Sequence, residues 1–224
     1  MSFQQIIPLE LRKADGRQDF VVGDSNIQAV KWIDRYPEWD NNGLILIGPK
    51  ASGKSHLVAV LKSNKKFKIL KSEDIDPLKT NKYHNTNIII ENLENIKNLK
   101  NLLHIINIVK ENKYNILITS RNKISDLNIK LKDLSSRLLS FQQATILYPT
   151  DDVLSGLIFK LLKDKGINIE RKIINFIILR IERTYQAANN IVNLINQKSL
   201  EQKKNITIPM IKNILEKSLY KKED

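Results

Sequence analysis

The chain has 224 residues, 37 Lys and Arg against 24 Asp and Glu, a formal net charge of +13 and 42% hydrophobic residues; it can bury a sizeable core in one large domain, or in one plus a smaller one. It has no cysteine, which excludes disulfides and thiolate metal centres and fits a reducing interior; no apolar run reaches the length of a membrane span, and the first residues lack a secretory pattern. These features predict a soluble, cytoplasmic protein without membrane contact, and the dispersed lysines, abundant alongside Ile and Asn, predict a solvated basic surface that meets DNA indirectly or non-specifically.

Residues 1–18 show no sustained periodicity. Within them Gln4-Gln5-Ile6-Ile7-Pro8-Leu9 reads as an extended arm, because Pro8 holds Ile7 out of the helical region. Such aliphatics around a proline dock either on their own domain or on a partner. After Asp19-Phe20-Val21-Val22-Gly23-Asp24, the spacing predicts an amphipathic helix over 27–36, with Ile27, Val30, Trp32 and Ile33 as its apolar positions, Ser25 or Asn26 as its cap and Pro37 as its stop.

A short apolar run, Gly43 to Ile47, then enters Gly48-Pro49-Lys50-Ala51-Ser52-Gly53-Lys54-Ser55, and His56-Leu57-Val58-Ala59-Val60-Leu61 continues as a helix. This is the strand, loop and helix of a phosphate-binding loop, G-x-x-x-x-G-K-S. Gly48 and Gly53 permit the tight turn that aims successive backbone N–H groups into one concavity, and the helix N-terminus adds its partial positive charge. Lys54 would reach the terminal phosphates, and the Ser55 hydroxyl would complete the shell of a Mg²⁺ ion that keeps several of its waters. The eight loop residues and His56 are the candidate nucleotide contacts.

Further strands are expected over 67–70, over 87–91 ending on Glu91, over 114–120 ending on Thr119 and Ser120, and over 144–148, with a helical turn near 73–78. Between them, Leu99, Leu102, Leu103, Ile106 and Val109 mark one helix, and a short helix near 134–139 carries Arg137. Strands alternating with helices imply a three-layer α/β fold with a five-stranded parallel sheet. Beyond Pro149 the pattern becomes wholly helical: Leu154, Leu157, Ile158, Leu161 and Leu162 share one face, the helix ends near Gly166, and three more follow over 173–181, 186–200 and 207–219. The chain therefore divides into an arm (1–18), a nucleotide-binding α/β domain (19–149) and a small all-α lid (150–224).

The phosphate loop, the acid-tipped third strand, the polar-tipped fourth strand, the segment Leu131-Lys132-Asp133-Leu134-Ser135-Ser136-Arg137-Leu138 and the helical lid together resemble an AAA+ module. More narrowly, the chain is similar to the Hda branch of the bacterial replication-initiator DnaA family, almost end to end. The resemblance implies that Phe20, Val21 and Val22 lie beside the adenine, that Ser120 and Arg183 sense phosphate, and that Ser55 and Glu91 attend the Mg²⁺ of bound ADP or ATP. It implies that Arg137 projects in trans as an arginine finger, its planar fork stabilising charge on a neighbour's γ-phosphate. It also implies that Gln4, Ile7, Pro8 and Leu9 grip the DNA polymerase sliding clamp.

Departures from the family pattern shape the functional expectation. Glu91 stands where an Asp is usual, and Asn92 stands where a hydrolysing enzyme has a carboxylate; an amide cannot accept the attacking water's proton, so intrinsic hydrolysis is expected to be slow or absent. Arg121 occupies a position where many relatives carry an acid. The expectation is a regulator that, on the clamp, stimulates ATP hydrolysis by DnaA and so inactivates it, with a homo-oligomer through the Arg137 side left open. The alternative is an AAA+ loader acting on a replicative helicase or clamp. The sequence ends after the lid with no separate helix-turn-helix domain, so sequence-specific origin recognition is not expected.

Overall fold

The computed structural model describes residues 16–64, 66–71, 75, 83, 85–202 and 206–220. The arm motif Gln4 to Leu9 lies outside them, as does the turn expected over 73–78 apart from Ile75. Five strands, β1 (Gly43–Ile47), β2 (Phe67–Leu70), β3 (Asn87–Ile90), β4 (Ile116–Ser120) and β5 (Gln142–Thr145), pair in parallel in the order β2-β3-β4-β1-β5. Every residue of β1 and β4 is buried, as expected for central strands covered on both faces.

Strand alternation sorts the apolar residues into two layers. Ile45 and Ile47 face α3 (Leu99–Glu111) and α4 (Lys132–Leu139), packing with Leu102, Ile106, Leu134 and Leu138. Leu44 and Leu46 face the opposite way, toward α1 (Ile27–Asp34) and α2 (Lys54–Asn64), packing with Val30, Ile33, Leu57 and Leu61. Four helices follow the sheet: α5 (Asp151–Asp164), α6 (Arg171–Ile178), α7 (Tyr185–Gln202) and α8 (Ile208–Tyr220). They form a core of their own around Leu154, Ile158, Leu162, Ile177, Ile195 and Ile211, while Val153 and Tyr185 pack into the α1–α2 layer instead. The α/β fold with a helical lid-like region is thus present. No helix among the described residues is long and apolar enough to cross a membrane.

Two local expectations shift. The last strand occupies 142–145 rather than 144–148: β5 pairs only with β1, so its outer edge tolerates the half-buried Gln142 and Gln143. At Leu147 the chain leaves the sheet, where the N–H donates to Ser25 O at 2.8 Å, and Leu147 and Tyr148 are exposed. The first helix ends at Asp34. Its N-cap residue Asn26 spends its side chain backward, accepting from Gly23 N–H (3.0 Å) and donating to Val21 O (2.8 Å), which pins the segment ahead of the helix.

Candidate nucleotide site

β1 delivers its C-terminal end into the loop, and Gly48 N–H donates to Ser120 O at 3.0 Å, tying the loop to the tip of β4. The two loop glycines are required by space. A Cβ on Gly48 would lie 2.8 Å from Ser52 Oγ and 3.0 Å from Ile146 Cβ; Gly53 has φ +90°, and a Cβ there would lie 2.7 Å from the Phe20 ring. Ala51 also has a positive φ, 63°. The Lys54 ammonium is buried inside the turn, donating to Gly48 O (2.6 Å) and Pro49 O (3.0 Å). Burial pushes its pKa below the ordinary 10.5, with Glu94 pulling it back up and Arg121 pushing it further down. Ser52 Oγ is buried and has no hydrogen-bond partner among the described residues. A buried cation and an orphaned hydroxyl in one concavity are what a phosphate would satisfy, so the loop fits the ligand its sequence implies.

A cleft of about 310 Å³ opens in front of the loop, lined by Lys50 to His56, by Asn92, Thr119 and Arg121 from the tips of β3 and β4, and by Asn189 from α7. Ser55 Oγ donates to Glu91 Oε1 at 3.2 Å, which brings together the two hard oxygen donors expected near a Mg²⁺ ion. Among the described residues no group of three or more His, Asp or Glu could hold a metal by itself, so a metal here would need phosphate oxygens as partners. Asn92, in the left-handed region at φ 59°, donates its N–H to Thr119 Oγ1 at 2.9 Å.

The tip of β4 divides between two faces. Ser120 is fully buried, and its hydroxyl donates to Asn122 O (2.8 Å) and accepts from Asn122 N–H (3.2 Å), shaping the turn that follows. Thr119 and Arg121 line the cleft instead. The alternation explains this: Thr119 follows Leu117 onto the face of α2, whereas Ser120 follows Ile118 toward α3.

Beside the cleft, sharing Ala51, Ser52, Gly53 and His56 with it, lies a narrower apolar slot of about 90 Å³. Phe20 and Val21 form one wall; Val153, Leu157 and Leu161 of α5 and Tyr185 of α7 form another. Phe20 meets the His56 ring edge-on, with centroids 5.4 Å apart, and His56 Nε2 lies 2.9 Å from Gly16 O. Val22 is exposed and outside the slot lining. The spacing puts Leu157 and Leu161 on one helix face and marks neither Tyr185 nor Asn189; Leu157 and Tyr185 reach the site because α5 and α7 pack against the α1–α2 layer, a contact that no local pattern encodes.

Two arginines stand apart. Arg183 binds Asp151 bidentately, Nε to Oδ1 at 2.8 Å and Nη2 to Oδ2 at 3.2 Å, on the exposed surface between α5 and the start of α7, and lines neither cavity. Arg137 lies in the last turn of α4, half-buried, and no described residue hydrogen-bonds or ion-pairs with its guanidinium. Three residues on, Ser140 O accepts from Asn41 Nδ2 at 2.9 Å, just ahead of β1. The phosphate loop follows the other end of β1, about 16 Å away for five residues at roughly 3.3 Å each. Arg137 therefore does not belong to its own chain's cleft.

Comparison with known proteins agrees with this architecture. Residues 160–215 match the family model of the Hda lid domain. An uncharacterized protein of Haemophilus influenzae is 27% identical over 184 residues, 75% of this chain and 79% of that protein. Domain III of the Thermotoga maritima replication initiation protein DnaA superposes with a TM-score of 0.79 at 15% identity, covering 93% of this chain and 98% of that one. AMPPCP-bound DnaA from Aquifex aeolicus gives 0.69 at 16% identity over 84% of this chain and 67% of that one, and the Thermotoga maritima RuvB branch migration motor gives 0.62 at 16% identity over 78% and 61%. The lid therefore matches the Hda lid-domain model, and the chain carries the fold of DnaA domain III around its phosphate loop.

Proposed function

We propose that this chain is a nucleotide-binding regulator of chromosome replication initiation, which binds ADP or ATP in its own cleft and presents Arg137 to the nucleotide of a second AAA+ protein, the initiator DnaA. The observation that carries this reading is the separation of Arg137 from the loop: a guanidinium at the far end of β1, without a partner among the described residues, is of no use to its own phosphates and is available to those of a neighbour. The nucleotide-bound DnaA structures of the same fold support nucleotide as the ligand class.

In its own site the chain's residues bind rather than cleave. The loop amides, Lys54 and Ser52 hold phosphate, while Phe20 and Val21 with α5 and α7 clasp the base. Ser55 and Glu91 are the residues that would hold Mg²⁺, whose contribution when bound is to neutralise phosphate charge. Asn92 offers an amide where a proton acceptor would be needed, so turnover by the chain alone is slow. Gln4, Ile7, Pro8 and Leu9, in the N-terminal arm, dock the protein on the DNA-loaded sliding clamp. Arg137 then stabilises the charge that develops as DnaA hydrolyses ATP, a contribution worth roughly 10³-fold or more for an arginine supplied in trans.

The test is reconstituted hydrolysis by ATP-bound DnaA with loaded clamp. Arg137→Ala and Gln4→Ala should each abolish stimulation, the first without weakening the chain's hold on the clamp. Full stimulation by Arg137→Ala would overturn the role in trans. Rapid turnover by the purified chain alone would favour an ATP-driven loader instead.

A further inference from the structure

The reading above gives the N-terminal arm a partner but no resting place, although Ile6, Ile7 and Leu9 set three large aliphatic side chains close together in the sequence. Such a cluster gains free energy by leaving water for an apolar surface. The lid supplies one. A groove of about 300 Å³ lies between α7 and α8, with Ile181, Ala187, Ile191, Leu194 and Leu215 as its apolar lining. Leu194 is 37% exposed, and Leu179, directly ahead of the groove residue Arg180, is 74% exposed. The groove therefore presents apolar surface that no described residue covers.

The rim of the groove suits an extended segment. Gln186 Nε2 donates to Asn190 Oδ1 at 2.8 Å, one helical turn along, which leaves Gln186 Oε1 and Asn190 Nδ2 without partners among the described residues. An acceptor and a donor side by side match the N–H and C=O of a backbone that pairs with no helix or strand. The arm has that character in its sequence, because Pro8 keeps Ile7 extended. Glu10 follows Leu9 and supplies an acid for Arg180, whose guanidinium is held over Phe176 with its carbon 3.6 Å from the ring centroid.

Reach selects the occupant. The described chain starts at Gly16, which is fixed beside the base slot: its N–H donates to Asp19 Oδ2 at 3.1 Å, and its carbonyl lies 2.9 Å from His56 Nε2. Asp19 lines the slot together with Tyr185, and Tyr185 stands between Thr184 and Gln186, which line the groove. Slot and groove are thus separated by the first turn of α7, roughly 10 Å across with its side chains. Leu9 precedes Gly16 by seven residues, and an extended chain spans roughly 23 Å in seven residues, enough to pass that turn. The same segment of a second copy lacks this tether and arrives at a far lower effective concentration.

We propose that Ile6 to Leu9 dock in the lid groove of their own chain when no clamp is present, so that the clamp has to compete for the arm. The docking stands on the groove and the tether; only the competition rests on the clamp reading. A docked arm weakens apparent clamp affinity in proportion to the fraction of time it is free.

The chain has no cysteine of its own, so paired cysteines report the contact directly. In the full chain, Ile7→Cys with Leu194→Cys should close an intrachain disulfide on mild oxidation. It should do so roughly tenfold faster than Ile7→Cys with Lys163→Cys, an exposed position beside the root of the arm. Equal rates would mean that the arm visits nearby surfaces alike, and covalent dimers as the main product of the first pair would put it on a second copy; either result overturns the inference. Leu194→Glu changes a side chain already open to solvent, and by freeing the arm it should tighten binding to the sliding clamp severalfold. Unchanged clamp affinity in that variant overturns the competition. Failure of the native chain to bind the clamp removes the parent reading alone, and the disulfide rates still decide the docking.

Discussion

Lys54 places an ammonium where water is scarce, and its environment makes a pH prediction. Burial holds its pKa below the ordinary 10.5, so between that lowered value and 10.5 the unfolded chain carries the proton more often than the folded one. Stability without nucleotide therefore rises with pH through this alkaline window. Phosphate reverses the bias by favouring the charged form. Nucleotide binding should take up protons in the same window, and affinity should fall as pH climbs through it. Calorimetric titrations in buffers of different ionisation heat measure the uptake; Lys54→Met should abolish it and weaken binding by roughly 10- to 100-fold, the loss of one or two charge-assisted bonds. At this scale the sequence was a good guide to the loop, because its glycines and lysine act through backbone geometry that a local motif encodes. It was a poorer guide at the tip of β4. Thr119 and Ser120 are both hydroxyl residues ending one apolar run, and only the strand's placement between two helical layers decides which faces the cleft.

At the level of elements, the α/β layers were legible because buried parallel strands and one-sided helices leave strong patterns. The edge strand β5 was not, since a strand with one neighbour can begin on Gln142 and Gln143, and the apolar Leu147 and Tyr148 beyond its end are exposed. The joint between the lid and the sheet was equally hidden. It turns on Tyr185, the first residue of α7, whose hydroxyl lies 3.1 Å from Ser25 Oγ just ahead of α1. Both residues are buried, at 4% exposure each, and burial raises the Tyr185 pKa above its ordinary value, so the phenol stays protonated and able to donate. Tyr185→Phe keeps the ring packing and strands the serine hydroxyl. We expect a loss of about 1–2 kcal/mol, seen as a fall of roughly 2–8 °C in Tm. A change in Tm within error would mean that water reaches Ser25 and that the joint is looser than its burial implies.

For the whole molecule, the slot beside the loop has one wall from the chain that leads into the α/β layers and another from α5 and α7, so a base seated there binds two parts of the fold to each other. A ligand that requires both walls stabilises the folded chain by mass action, about 2.7 kcal/mol at a concentration one hundred times its Kd. For a chain of this size that corresponds to a rise in Tm of roughly 5–10 °C with ADP and Mg²⁺. Phe20→Ala, which removes one wall, should cut the rise sharply. Arg137→Ala should leave it unaltered, because that arginine stands at the opposite end of β1 from the loop. The contrast separates two designs that share this fold. In a module that works on its own nucleotide, every arginine that matters contributes to its own thermal shift; in one that lends an arginine to a neighbour, Arg137 contributes nothing until the partner is present. A nucleotide shift that disappears with Arg137→Ala would place that residue in its own chain's site and remove the basis for action in trans.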